Sequence, residues 1–125
     1  MRDSLVALAA VEGSMSDLGF AAQLAEDLSP DDLRLVLGVF RADVQRLTGA
    51  MAEALCGADF VAFRRAAHGL AGAAGAVGAT RLEQASRRAM GDDMAMAASL
   101  ADIDTLAAGA LDDLAVFLAG LDARP

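Results

Sequence analysis

His68 heads the run His68-Gly69-Leu70-Ala71-Gly72-Ala73-Ala74-Gly75-Ala76-Val77-Gly78-Ala79 and is the single histidine of the chain. Imidazole titrates nearer neutrality than any other side chain, so it is a nucleophile without a strong base to activate it. The residues around it are the smallest available, which leaves the ring open to the surface of a second protein. Arg64 and Arg65 lie one turn earlier and set positive charge near anything anionic on the ring. By position alone, a surface histidine is a solvated residue and an Ala/Gly run is a place of close helix packing. The pairing of a lone reactive ring with a bare patch is what points to chemistry.

Other constellations are weaker. One His and one Cys cannot fill a metal or haem site. No Gly-rich loop ends in Gly-Lys-Ser/Thr, so no nucleotide phosphate cradle is expected. Asp92-Asp93 and Asp112-Asp113 are adjacent pairs that point in different directions on a helix, which makes neither an acid–base dyad. Cys56 reads as a half-buried small hydrophobe, and Met90, Met94 and Met96 as gap-filling core or loop contacts. Arg87 and Arg88 read as a solvated face near a helix C-terminus, with partner contact as the alternative.

The elements that position His68 are helices. Ala and Leu dominate the 125 residues, Trp and Tyr are absent, and Pro occurs only at Pro30 and Pro125. Apolar residues make up 56% and charged residues 22%, enough for one globular core. Net charge is −8 and all ten basic residues are arginines, a balance that argues against nucleic-acid binding. The lone cysteine excludes an internal disulfide framework and suggests a reducing compartment. No apolar run reaches membrane-spanning length, and the short run Leu5 to Val11 ends at Glu12, so a cytoplasmic protein without a signal peptide is expected.

Ser29-Pro30-Asp31-Asp32 starts the clearest helix. Ser29 caps it, Pro30 suits its first turn, and the two aspartates favour the positive end of its dipole. Leu33, Val36, Leu37, Phe40, Val44, Leu47, Met51 and Leu55 recur at helical spacing as far as Cys56-Gly57. A shorter helix before it is capped by Ser16 or Asp17, with Phe20, Leu24 and Leu28 inward; Asp3 to Val11 adds an N-terminal turn or helix. Asp59 caps the helix that carries His68, whose apolar stripe is Phe60, Phe63, Ala67, Leu70, Ala74 and Val77. A break is expected at Gly75 to Gly78. The next helix turns Leu82, Ala85 and Ala89 inward and Arg81, Arg87 and Arg88 outward, and ends near Gly91-Asp92-Asp93. The last starts near Ser99 or Asp102 and buries Ile103, Leu106, Ala110, Leu114, Phe117 and Leu121.

Short connections favour antiparallel neighbours. The expected fold is all-α: an elongated antiparallel four-helix bundle over residues 18–122, with one or two short extra helices in an N-terminal extension, residues 1–17. On a helical wheel His68 lies roughly 130° from the centre of its helix's apolar stripe, on the exposed side. Val61, Arg64, Arg65, Ala71, Gly72 and Gly75 share that side. Gly inside a helix costs about 1 kcal/mol relative to Ala, so Gly69, Gly72 and Gly75 imply close approach by something.

The segment from Phe63 to Ala79 resembles the histidine-containing phosphotransfer (HPt) domain family. That family shows an Ala-His pair, a Leu two residues after the His, a Lys at the third, a Gly at the fourth and two small residues following. A Gly-Ala pair and a Leu then open its next helix. Ala67, His68, Leu70, Gly72, Ala73, Ala74, Gly78, Ala79 and Leu82 match in place. Arg64 and Arg65 fit the basic residues that often precede the His, and the resemblance extends over residues 18 to 121. It implies a four-helix bundle with an exposed histidine that takes a phosphoryl group from an aspartyl phosphate on one receiver domain and passes it to an aspartate on another. The implied site is His68 as acceptor, Arg64 and Arg65 as phosphate neighbours, and Val61, Ala71, Gly72 and Gly75 as docking surface.

The implied partners are response-regulator receiver domains and a hybrid histidine kinase in a bacterial multistep relay. The receiver brings its own Mg²⁺, so no metal or cofactor is implied for the carrier. An exposed site on a short chain implies a monomer. The departure is Ala71, where the family usually has lysine; Ala73 and Ala74 also replace hydroxyl residues. That departure leaves a second reading, a phosphorylation-silent helical adaptor that binds receiver domains without turnover.

Overall fold

The computed structural model describes residues 19–91 and 96–122. Among them every regular element is a helix: α1 Phe20–Leu24, α2 Pro30–Cys56, α3 Phe60–Val77, α4 Thr80–Ala89 and α5 Met96–Asp122. Helices α2 to α5 form the bundle, and α1 packs against its end. The readings of Asp3 to Val11, Ser16, Asp17, Asp92, Asp93 and Met94 lie outside the described residues.

Helix α2 begins as its sequence dictates. The Asp32 amide donates to Ser29 Oγ at 3.2 Å, and Pro30, Asp31 and Asp32 fill the first turn. Leu33, Leu37, Phe40, Val44, Leu47, Met51 and Ala54 form its buried stripe. The Phe20 ring meets the Phe40 ring edge-on at 5.4 Å, which ties α1 to α2. The cap of α1 is Gly19, in a left-handed conformation and without a side-chain bond.

Helix α3 starts where Asp59 Oδ1 accepts from the Ala62 amide at 3.0 Å. It runs unbroken through Gly75, and the expected break falls at the far end of its range, at Gly78, which adopts positive φ (82°) where Gly69, Gly72 and Gly75 do not. Gly78 terminates the helix, and the Ala79 amide closes the turn on the Ala74 carbonyl at 2.9 Å. Helix α4 buries Leu82, Ala85 and Ala89, and also Ser86, whose hydroxyl donates to the Leu82 carbonyl at 2.8 Å. Helix α5 starts a turn earlier than expected. Met96 and Leu100 extend the stripe of Ile103, Leu106, Ala110, Leu114 and Leu121 back by i, i+4 spacing, and all are buried, whereas Phe117 of the expected stripe is only half-buried.

Two end positions differ from expectation. Phe60 is 42% exposed and Cys56 is exposed. Both border the turn 57–59, which is exposed throughout, so the stripes of α2 and α3 run past the layer that covers them. Among the described residues no helix is long and apolar enough to cross a membrane.

Candidate functional site

His68 lies midway along α3 and is exposed. Its ring makes no hydrogen bond or ion pair among the described residues. The turn below it is buried: Ala67 and Leu70 are fully covered, and Ala66 is 6% exposed. The histidine therefore stands on packed backbone while its ring faces water.

Three glycines follow the histidine on α3, and they differ. A Cβ on Gly69 would meet Leu47 Cδ2 of α2 at 3.3 Å. A Cβ on Gly75 would meet the Glu83 carboxylate of α4 at 3.0 Å. A Cβ on Gly72 would meet nothing within 4 Å. So Gly69 and Gly75 admit neighbours from within the molecule, and Gly72 alone leaves open space one turn beyond the histidine.

The structure places the other expected residues unequally. Val61 is 60% exposed and shares the His68 face two turns earlier. Arg65 is exposed and Arg64 half-buried, three and four residues before the histidine. Gly75 is exposed, but Glu83 already occupies the space over its α-carbon. Ala71 is corrected: at 1% exposure it is no part of a docking surface. On the helical wheel it lies about 60° from both the buried stripe and His68. It shares a line with Gly75, and this shoulder is the one that α4 covers.

A surface that the sequence reading missed lies toward α2. Leu35 (68% exposed) and Val39 (55% exposed) stand on the outer face of α2. With Val36, Ala73 and Ala76, and Asp43 at the rim, they line an open apolar groove of about 330 Å³. Ala73 follows Gly72 directly and Ala76 lies one turn beyond it, so the groove continues the bare patch. The signal was present: Leu35 and Val39 are an i, i+4 apolar pair outside the buried stripe of an amphipathic helix.

The remaining candidates stay apart from this face. Among the described residues no three His, Cys, Asp or Glu side chains come together as metal ligands. Asp112 is exposed and Asp113 half-buried, the latter with Oδ2 buried and without a hydrogen-bond partner. Met96 is buried in the core and Met90 packs against its edge. Arg88 is exposed, and Arg87 is bonded to Glu83.

An exposed imidazole, two arginines one turn away, open space on the turn after it and an adjoining apolar groove suit the approach of a second protein and the transfer of an anionic group. Residues 35–120 match the Hpt domain family. No curated protein and no solved structure matches the chain significantly.

Proposed function

Because the chain belongs to the Hpt domain family, we propose that His68 carries a phosphoryl group between receiver-domain aspartates in a multistep relay. The observation that carries this reading is an exposed His68 ring beside the open space over Gly72. A ring nitrogen attacks the phosphorus of an aspartyl phosphate with its lone pair. The N–P bond forms as the P–O bond to the aspartate breaks, and the aspartate leaves as carboxylate. The second nitrogen keeps its proton through this step. Delivery to the next receiver is the reverse displacement, so no bound nucleotide is needed. Positioning and charge neutralisation supply the catalysis.

The residues divide this work. Packed Ala67 and Leu70 hold the backbone beneath the ring. Arg65 and Arg64 bring positive charge to the incoming phosphoryl group. Val61, Gly72 and the Leu35–Val39 groove receive the partner's surface, where apolar contact holds the reactants in line. The partners in this reading are receiver domains of response regulators and of a hybrid histidine kinase.

The test is transfer from a phosphorylated receiver domain. The wild type acquires acid-labile, alkali-stable phosphate, and His68→Gln acquires none. Stable binding of the receiver without label on the wild type would establish the silent adaptor instead.

A further inference from the structure

We propose that Arg87, on the neighbouring helix, supplies a cation to the phosphoryl group on His68, and that Glu83 holds Arg87 ready for it. This inference rests on the carrier reading of His68. Position 71 offers no charge, since Ala71 is a buried methyl group. The shoulder it leaves without charge is the one beside α4.

The register places Arg87 there. Helix α4 folds back on α3 through the turn at Gly78 and Ala79, and the Glu83 carboxylate rests against Gly75. Each turn forward on α4 is then a turn back on α3. One turn beyond Glu83 is Arg87; one turn before Gly75 is Ala71, and one turn before that is His68. Arg87 shares the Glu83 line of α4, so this register sets it level with Ala71, one turn from His68.

The present partner of Arg87 shows how the cation is stored. Nη2 and Nε both donate to Glu83 Oε2, at 2.8 and 3.2 Å. The Arg87 side chain is 57% exposed, so it changes partner by side-chain rotation alone. A phosphoryl group carries between one and two negative charges near neutral pH, more than a carboxylate, and its oxygens match the planar guanidinium fork. The Glu83 carboxylate repels the same group. Phosphorylation of His68 thus draws Arg87 from Glu83, whereas a merely structural i, i+4 pair has no reason to respond.

The two roles separate by sign. His68 is charged with phosphoramidate, a small donor that needs no receiver: its P–N bond breaks, ammonia leaves and the N–P bond to the ring forms. Loading is followed by ³¹P NMR for wild type, Arg87→Ala and Glu83→Gln, with circular dichroism confirming equal helicity. Arg87→Ala loads roughly threefold to tenfold more slowly and raises the pH at which the bound phosphoryl group titrates. Glu83→Gln loads faster and lowers that pH. Shifts of the same sign in both variants, or none in either, overturn the role of Arg87 while leaving His68 as carrier. Absence of histidine phosphate on the wild type overturns the carrier reading itself.

Discussion

The two flanks of α3 are built from opposite materials. At Gly69 the neighbour is the aliphatic end of Leu47, a side chain 8% exposed. At Gly75 the neighbour is the Glu83 carboxylate, itself paired with a largely exposed arginine. The first flank is a sealed apolar seam that fixes where α3 sits. The second is a charged seam closed by the Arg87–Glu83 ion pair at 2.8 Å. His68 and Gly72 lie between an apolar edge and a charged one, which suits the carrier role proposed for His68.

The largest expected effect breaks the fixed edge. Leu47→Ala removes the side chain that packs on Gly69 and costs about 2–5 kcal/mol in denaturant unfolding. Glu83→Gln at the other edge changes stability by no more than about 1 kcal/mol, as expected for an exposed pair. Equal losses at the two sites would erase the distinction. Next in size is Gly72→Gln, which fills the open space between the flanks. Transfer from a receiver falls at least ~10-fold, a cost of about 1.4 kcal/mol in the barrier, while circular dichroism shows helicity kept or raised. Full transfer in that variant would remove Gly72 from the contact surface. Smallest are the glycine-to-alanine changes. Gly72→Ala stabilises by about 0.5–1 kcal/mol through helix propensity alone. Gly69→Ala and Gly75→Ala gain less, since their new methyl groups press on Leu47 and Glu83. Thermal melts that rank Gly72→Ala below the other two would contradict this geometry.

The sequence made the bundle legible where signals were local. Ser29, Pro30 and Asp59 mark helix starts by capping chemistry, and the spacing from Leu33 to Met51 marks a face. The exposure of His68 followed from its angle to the stripe. What depended on neighbours was not legible. Ala71 lies on a boundary of the wheel, and only the position of α4 decides that it is covered. Gly69, Gly72 and Gly75 are identical in sequence, yet one meets Leu47, one meets Glu83 and one meets solvent. Phe60 is exposed because a stripe does not announce where its covering layer ends, and Cys56 is exposed because residue type alone does not place it. Leu35 and Val39 are legible as off-stripe apolar residues, but the groove they line depends on Ala73 and Ala76 of α3, which the α2 pattern does not contain.

In the proposed function the His68 ring is a way-station for phosphoryl groups. Its most direct measurement starts from protein charged with phosphoramidate, freed of donor and mixed with an unphosphorylated receiver domain. The expected result is that phosphate leaves His68 and appears on the receiver's aspartate, and that His68→Gln never charges. Phosphate that stays on the protein, or a His68→Gln variant that charges and delivers like the wild type, would contradict it.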